Sequence, residues 1–397
     1  MMDENFSIIK KCRCSDSTDY RDVFSIPTPV PLAGSFCSSY SEAIHSPQYP
    51  LTFVVFEDSG VIQCLESIRP EAIFLKYKYD SSTIPALVKH FGGLAEKLVG
   101  RYGGDNKVKL LEIGANSFPL LNQLPSNWEL TGVDPSDVAA NAKRNNNIEF
   151  FNKFFSSEFV AKNNMVGKYK VVVASNCLAH IPQIQDIFRG IWLALEDDGE
   201  FIIEVKDGDT ILDMGEIFDC YHEHPVQYTT HSLQRVLGKV GFKMVEQSVL
   251  PFHGGLLHMV LKKTKNPINY PLPSNYFESV IRRGKAMQRT YDNRETNLMV
   301  AEMRFGGKKN VAYGASGKAT MMLNAYKNIR FDYIVDESPS KIGLFIPGVG
   351  TPIVSKETLE NDRSNKNILV CAWNYYDNIL KANSHIQNAK WFNLFAK

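Results

Sequence analysis

The sequence lacks an excess of charge of either sign and any long apolar run. Its 44 lysines and arginines nearly balance 43 acidic residues, which gives a formal net charge of +1. This balance does not indicate nucleic acid or an anionic membrane as a partner. No apolar run is long enough to span a bilayer, and the N-terminal residues lack a signal-peptide pattern. The length of 397 residues is enough for two or three domains.

Cysteine is scarce and has no regular spacing. The seven cysteines are scattered and odd in number, which predicts a reducing, cytoplasmic location rather than a disulfide framework. Cys12 and Cys14 resemble half of a metal knuckle, but C-x-C is shorter than the usual C-x-x-C. The positions where a zinc ribbon would carry its second pair hold Phe56 and Ser59. Two thiolates do not close a tetrahedral site, so we expect neither zinc nor another metal here.

Glycine-rich phosphate loops are also missing. An apolar run at 108–113 ends at Gly114, and a second run at 128–133 ends at Asp134. This pattern predicts the strand, turn, helix and strand that begin a nucleotide-binding α/β unit. The turn lacks G-x-G-x-x-G and offers little of the backbone approach that a pyrophosphate needs. A ligand with a ribose and no phosphate fits better. This favours S-adenosylmethionine (SAM) over the other ligands of Rossmann-like domains, with Asp134 on the ribose.

Further strands continue the pattern. Apolar runs at 169–174 and 199–205 are typical of parallel strands covered on both faces. The first leads to His180, which lies beyond a strand end, where ligands bind in open α/β sheets. His180 either takes part in chemistry or supports a helix start. Runs at 242–249 and 256–261 predict a closing hairpin.

Four polar residues stand together in Tyr221-His222-Glu223-His224. Metal ligation by the two histidines is one interpretation, and a polar helix end is a second. In a third, Glu223 orients a neighbouring imidazole and raises its basicity, while Tyr221 donates a hydrogen bond. His253, on a Gly-Gly turn, adds another imidazole. Imidazoles near a SAM sulfonium indicate proton abstraction coupled to methyl transfer.

The pattern restarts after a proline-rich linker at 264–275 and a long helix predicted at 276–305, with a capping-box spacing at its start. A strand at 310–313, the turn from Gly314 to Lys318 and a strand ending at Asp336 form a second Rossmann-like unit. The turn is not a Walker A loop, because only two residues separate Gly314 from Gly317. Amides at a helix start together with a lysine suit a phosphate, although both residue types are common at helix starts.

We therefore predict an α/β protein with three parts. Residues 1–70 form a small domain that is a remnant of a zinc ribbon, 71–265 a Rossmann-like SAM domain and 266–397 a second Rossmann-like domain.

Many of these motifs, in this order, resemble the sugar C-methyltransferases, which transfer methyl from SAM to C3 of a nucleotide-linked 4-keto-deoxysugar. The resemblance covers nearly the whole chain. The matching motifs are Pro31-Leu-Ala-Gly-Ser-Phe36, Tyr49-Pro-Leu51, Leu111-Glu-Ile-Gly-Ala-Asn116, Ser175-Asn-Cys-Leu-Ala-His-Ile-Pro182, Tyr221-His-Glu-His224, His253-Gly-Gly255, Tyr313-Gly-Ala-Ser-Gly-Lys318, Val335-Asp-Glu-Ser-Pro-Ser-Lys-Ile-Gly343, Ile346-Pro-Gly348 and Ala372-Trp-Asn-Tyr375.

The resemblance implies a role for each matching residue. The SAM site would contain Glu112, Gly114, Asn116, Asp134 and Asn176. The catalytic positions would be Tyr77 or Tyr79, His180, Tyr221, Glu223 and His224, with His224 as the base and His180 or a tyrosine hydroxyl on the enolate. The nucleotide-sugar would contact His222, His253, Gly254, Tyr313, Gly314, Gly317, Lys318, Asp336, Lys341, Trp373 and Asn374, with the diphosphate at the 314–318 turn and the 336–341 segment.

The chain departs from the family after the Gly-Gly turn. The family usually has a serine and then an arginine, whereas this chain has Leu256 and His258. The exact acceptor therefore stays open, as does the choice between a monomer and a small homo-oligomer. Two alternatives also stay open: an O- or N-methyltransferase acting on another sugar nucleotide or small molecule, and a non-catalytic binding protein. The intact cluster at 221–224 argues against the second.

Overall fold

The N-terminal part of the chain forms small antiparallel sheets. The computed structural model describes residues 5–75, 79–296 and 298–395. The elements of this part are β1 (Phe6–Ile8), β2 (Tyr20–Val30), α1 (Tyr40–Ile44), β3 (Tyr49–Phe56), β4 (Ile62–Cys64), β5 (Glu66–Ile68) and α2 (Pro70–Phe74). Strands β3 and β4 form the strand pair expected around the 57–60 turn, and β1 pairs with β5.

The middle of the chain forms a seven-stranded sheet in the order β12-β13-β10-β9-β6-β7-β8. Its strands run in one direction except β13, which is antiparallel to β10 on one side and to β12 on the other, and β12 and β13 form the expected closing hairpin. The elements are α3 (Pro85–Tyr102), β6 (Lys109–Ile113), β7 (Glu129–Val133), α4 (Asp137–Asn141), β8 (Ile148–Phe151), α5 (Ser157–Lys162), β9 (Tyr169–Ser175), α6 (Ile184–Ala194), β10 (Leu195–Lys206), α7 (Gly208–Met214), β11 (Val226–Gln227), α8 (Thr230–Val240), β12 (Phe242–Leu250) and β13 (Leu256–Lys263).

Apolar periodicity explains how this sheet is covered. In α3, the residues Leu87, Phe91, Leu94 and Leu98 recur at helical spacing, and all four are buried. In β9, six of the seven residues are buried because helices cover both faces of the sheet.

The C-terminal part forms a five-stranded parallel sheet in the order β16-β15-β14-β17-β18. Together the two parallel-rich sheets confirm the predicted α/β class. The elements are α9 (Tyr276–Asp292), α10 (Leu298–Phe305), β14 (Lys309–Tyr313), α11 (Gly317–Ala325), β15 (Tyr333–Val335), β16 (Ile353–Val354), α12 (Lys356–Asn361), β17 (Lys366–Val370), α13 (Tyr376–Ala382) and β18 (Ala389–Phe392).

The helical stretch predicted at 276–305 consists of two α-helices rather than one. Helix α9 ends at Asp292, where the Asn293 amide caps carbonyl groups of the last turn, and α10 begins at Leu298. The predicted capping box is wrong, because the Asn275 side chain makes no capping hydrogen bond.

The three parts of the chain interlock. Strand β11 comes from the middle of the chain but pairs with β4 in the N-terminal sheet. Cys37 forms a β-bridge with Phe345, and the Thr320 hydroxyl donates to the Ala33 carbonyl at 2.8 Å. Hydrogen bonds therefore connect each of the three predicted parts to another. Within the described ranges, no helix is both long and apolar enough to cross a membrane.

Hydrogen bonds surround the thiol of Cys12. Its Sγ accepts from Gln63 Nε2 at 3.0 Å and from the Cys14 amide at 3.3 Å, and it lies 3.3 Å from Ser59 Oγ. The Cys14 thiol, followed by Ser59 and Gln63, lowers the pKa of Cys12 to about 6 despite burial. Ser59 thus lies against the thiol as a hydrogen-bond partner, where a zinc ribbon would need a second pair of ligands.

We expect the N-terminal part to fold without zinc, because these hydrogen bonds already engage the Cys12 thiol. Elemental analysis of the purified protein should find no stoichiometric zinc, and a chelator should leave the unfolding transition unchanged. One zinc per chain, lost together with the fold on chelation, would contradict this expectation, because a structural site of this kind needs four ligands.

Candidate active site

Two groups of strand ends line one cavity of about 640 Å³. The lining residues that follow strands are Gly114, Asp134 and Asn176 in the middle sheet and Gly314, Asp336 and Ala372 in the C-terminal sheet. Ligands bind beyond the carboxyl ends of strands in open α/β sheets. The cavity between these two sets of strand ends is therefore the candidate active site.

The turn after β6 has no room for a side chain. Gly114 has a φ of 73°, and a Cβ there would lie 2.6 Å from the Cβ of Cys177. Asn116 donates from Nδ2 to the Tyr79 carbonyl at 2.9 Å and accepts from the Ser81 amide and hydroxyl at 2.9 and 2.7 Å. Asn116 thereby holds Tyr79 in the cavity wall.

Asp134 combines local hydrogen bonds with a position on the cavity. Its Oδ1 accepts from the amide and hydroxyl of Ser136 at 2.9 and 2.6 Å, and its Oδ2 accepts from the Asn116 amide at 2.9 Å. A carboxylate oxygen can accept two hydrogen bonds, so Oδ2 can also accept from a ligand hydroxyl. Asn176 lines the same wall, and its amide donates to the Glu204 carbonyl at 2.7 Å.

Glu112 lies behind the lining rather than in it. The residue is 2% exposed, and burial, followed by the charges of Asp134 and Glu204, raises its pKa well above the ordinary value. Its Oε2 has no hydrogen-bond partner within the part of the chain that the structure describes. The lining residues therefore shield the Glu112 carboxyl from the cavity, and burial favours its neutral form, so a contact with SAM stays a prediction.

His224 is held in one tautomer. Its Nδ1 lies 3.0 Å from the Asp219 carbonyl, which can only accept, so Nδ1 carries the proton. Its Nε2 therefore has a lone pair, and it accepts from the Tyr221 hydroxyl at 3.0 Å. Burial, followed by the nearby His180, lowers the pKa of His224 to about 3. The ring is therefore neutral at physiological pH, and burial lowers its basicity, whereas the sequence pattern predicted that Glu223 would raise it.

A second imidazole lies beside the first. The ring centroids of His180 and His224 are 4.6 Å apart, and His180 Nδ1 donates to the Glu223 carbonyl at 2.7 Å. Burial lowers the pKa of His180, so this ring is also neutral. The hydrogen bond expected from Tyr221 to a neighbouring imidazole is therefore present, and His224 is its acceptor. Tyr77 lies outside the described residues.

The structure corrects the predicted roles of the two residues between Tyr221 and His224. The buried Glu223 carboxylate accepts from the Gly34 amide at 2.8 Å, and burial raises its pKa. It is the Glu223 main chain, not the carboxylate, that contacts an imidazole. His222 Nε2 lies 2.7 Å from the Pro50 carbonyl, so this ring faces the N-terminal sheet instead of the substrate cavity.

Sequence reasoning missed a buried ionic cluster. Lys318 Nζ contacts Asp219 Oδ2 at 2.7 Å, and Lys206 Nζ contacts Glu216 Oε2 at 2.7 Å and Asp219 Oδ2 at 3.8 Å. Despite burial, the two lysines lower the pKa of Asp219. Three of the four charges lie between residues 206 and 219, but Lys318 comes from the C-terminal part, and no local pattern marks their meeting.

Other predicted substrate contacts divide into two sets. His253, Gly317, Lys341, Trp373 and Asn374 line the cavity. Tyr313 and Gly254 are not among the lining residues, and their contacts with a substrate stay predictions. The Tyr313 hydroxyl donates to Glu337 at 2.7 Å, and the Gly254 carbonyl accepts from Lys206 at 2.8 Å.

The departure from the family pattern at His258 does not reach the cavity. His258 Nδ1 lies 3.2 Å from Glu204 Oε1, and His90 Nε2 lies 2.8 Å from Glu204 Oε2. Although burial opposes the shift, these imidazoles lower the pKa of Glu204 to about 2. His258 therefore contacts a carboxylate of the middle sheet and does not line the cavity.

Two parts of the chain match family models of methyltransferases. Residues 87–247 match a family model described as a methyltransferase domain, and residues 284–393 match one described as a C-methyltransferase C-terminal domain. The chain is 26% identical over 390 residues to C-methyltransferase NovU of Streptomyces niveus, covering 94% of this chain and 91% of NovU.

Solved structures match part of the chain. The 1,6-didemethyltoxoflavin-N1-methyltransferase of Burkholderia thailandensis is 17% identical, covers 47% of this chain and 82% of its own, and has a TM-score of 0.34. Magnesium protoporphyrin IX methyltransferase of Synechocystis is 14% identical. The match covers 45% of this chain and 84% of that protein, with a TM-score of 0.36.

The fold, the cavity and the domain match define a SAM-dependent methyltransferase. More narrowly, its C-terminal part matches the model of a C-methyltransferase C-terminal domain, and the chain is similar to NovU over nearly its whole length.

We expect Asp134→Ala to weaken SAM binding by about 1–3 kcal/mol, the usual cost of leaving buried polar partners unpaired. Isothermal titration calorimetry measures this loss. Ser136→Ala is the matched control, because it removes a local partner of Asp134 and keeps the carboxylate. Unchanged affinity in Asp134→Ala would remove this residue from the SAM site.

We expect Gly317→Ala to displace Tyr221. A Cβ on Gly317 would lie 3.1 Å from Cζ and 3.2 Å from the hydroxyl oxygen of Tyr221. Overpacking of this kind costs about 1–3 kcal/mol. Urea unfolding should report the loss, and the ¹⁵N chemical shift of His224 Nε2 should move as its hydrogen bond weakens.

Gly100→Ala serves as the control, because a Cβ on this exposed α3 residue would meet no atom within 4 Å. If the two alanine variants are equally stable and the ¹⁵N chemical shift of His224 Nε2 does not change, Gly317 does not limit the position of Tyr221.

Proposed function

We propose that the enzyme transfers methyl from SAM to C3 of a nucleotide-linked 4-keto-deoxysugar. One observation carries the proposal: the lone pair of His224 Nε2 lies at a cavity whose walls come from two sets of strand ends. One wall suits SAM, and the other leaves room for a second, nucleotide-linked substrate.

Carbon methylation needs a base. A carbon next to a ketone becomes a nucleophile only after it loses a proton, whereas hydroxyl and amino groups already carry lone pairs. An imidazole whose Nδ1 proton is fixed keeps its Nε2 lone pair as the acceptor for such a proton, and a pKa nearer the working pH would make it a stronger base. The acceptor nitrogen of His224 therefore supports an acidic C–H substrate over the alternative of O- or N-methylation.

On the SAM side, the lining residues Gly114, Asn116, Asp134 and Asn176 would contact a nucleoside without phosphates, while Glu112 lies behind them. SAM supplies an electrophilic methyl group. These side chains orient it, and the enclosing walls keep water from the reacting carbon.

On the C-terminal side, the start of α11 and Lys341 support the diphosphate. The cavity is lined by Ser316 and Gly317 at the first turn of this nine-residue helix, and helix N-termini favour anions. Lys341 Nζ donates to the Ala315 carbonyl at 2.7 Å and lies 3.4 Å from Asp336 Oδ2, which keeps an ammonium beside the turn.

In this mechanism His224 Nε2 removes the C3 proton. The Asp219 carbonyl fixes the tautomer, and the Tyr221 hydroxyl must give up its hydrogen bond to Nε2, or shift it, as the substrate C–H approaches. His180 packs beside the base and helps to exclude water.

We expect His224→Ala to lower kcat by about 10²–10⁴-fold, the range for one acid/base group, and to leave SAM affinity intact. The direct assay is deuterium wash-in next to the ketone without SAM. The substrates are the 4-keto-6-deoxyhexoses of thymidine, uridine, guanosine and cytidine diphosphates. Wild type should exchange C3 hydrogen on one of them, and the variant should not.

His231→Ala is the control, because His231 is exposed on α8 away from the cavity lining. Exchange at the wild-type rate in His224→Ala would move the role of base to His180. Methyl transfer to oxygen or nitrogen without any exchange would favour the alternative reaction class.

A further inference from the structure

A lysine from the C-terminal part reaches the catalytic side of the cavity. Lys318 is the second residue of α11, and it lines the cavity with a side chain that is 20% exposed. Its Nζ donates to Asp219 Oδ2 at 2.7 Å and lies 4.5 Å from the centre of the Trp373 ring. These two contacts fix the ammonium, and Asp219 takes one of its three N–H donors.

The same ammonium is close to the base. Asp219 accepts from His224 through its carbonyl and from Lys318 through its carboxylate, so one residue holds both groups. The neighbouring Gly317 packs against the Tyr221 phenol. In agreement with this geometry, the charge of Lys318 contributes to the lowered pKa of His224 and of His253.

Enolisation needs a positive group or a hydrogen-bond donor at the ketone oxygen. His180 is a poor donor to it, because its Nδ1 proton goes to the Glu223 carbonyl and the buried ring stays neutral. The Tyr221 hydroxyl donates to His224. Neither group adds a positive charge, whereas the Lys318 ammonium supplies both a charge and N–H donors.

We propose that Lys318 is a catalytic residue that stabilises the enolate, and this inference rests on the proposed function. The C3–H bond breaks, and its proton goes to His224 Nε2. The electron pair forms the C3–C4 double bond, while the C=O π pair moves onto the ketone oxygen. Lys318 Nζ donates a hydrogen bond to that oxygen and stays protonated.

Loss of an enolate contact and loss of a diphosphate contact would change different kinetic constants. A diphosphate contact is made equally in the ground and transition states, so its loss raises KM alone. An enolate contact strengthens only as charge develops on the oxygen, so its loss lowers kcat.

The experiment compares Lys318→Met with Lys341→Met in the full-length enzyme. Lys318→Met should lower the saturated C3 exchange rate and kcat by about 10²–10³-fold, the cost of losing one oxyanion donor. KM should change little. Lys341→Met should raise KM and keep the saturated rate. The probes are the same four 4-keto-6-deoxyhexose nucleotides, and SAM affinity and the unfolding midpoint check folding.

Chemical rescue separates the charge from packing. Ethylammonium ions should restore part of the exchange rate of Lys318→Ala, because they can return an N–H donor to the cavity. Tetramethylammonium has no N–H group and should restore nothing at the same ionic strength. Equal rescue by both salts would overturn the proposal.

Each remaining outcome has a clear meaning. A wild-type exchange rate in Lys318→Met, or a raised KM at unchanged kcat, overturns the role of Lys318 and leaves the proposed function standing. Exchange by neither wild type nor variant, with SAM still bound, overturns the proposed function itself.

Discussion

The ion pair between Lys318 and Asp219 joins the two halves of the site. Asp219 is 2% exposed, so its carboxylate has little contact with water and depends on lysine partners. Loss of either partner would leave a buried charge uncompensated, which is costly in a medium of low dielectric constant. Because the Asp219 carbonyl also fixes His224, the packing of the C-terminal sheet against the middle sheet determines the position of the base.

Local sequence patterns predicted the fold and much of the cavity lining, but not its electrostatics. A buried strand followed by glycine or a polar residue is visible in sequence, and Gly114, Asp134 and Gly314 all line the cavity. The ionic cluster is not visible in this way, because Lys206 and Asp219 meet Lys318 only after two separate sheets have packed together. Strand periodicity says nothing about charges that pair between sheets.

The irregular segment at 221–224 shows a second limit of sequence reasoning. A helix or strand has a fixed period that assigns each side chain to a face, but this segment has none. Neighbouring residues therefore diverge: His224 lines the cavity, His222 contacts the Pro50 carbonyl and Glu223 contacts the Gly34 amide. The composition of the cluster indicated acid/base chemistry, and only the tertiary structure shows which of its side chains line the cavity.

The pairing of β11 with β4 has a consequence for how such enzymes can diversify. The segment that carries the base is hydrogen-bonded to the N-terminal sheet on both sides of His224, through His222 before it and β11 after it. An exchange of the middle part alone between related enzymes would break these bonds. The unit that would have to be exchanged intact is therefore discontinuous in sequence. It contains the N-terminal strands and the 220–227 segment, which about 150 residues separate.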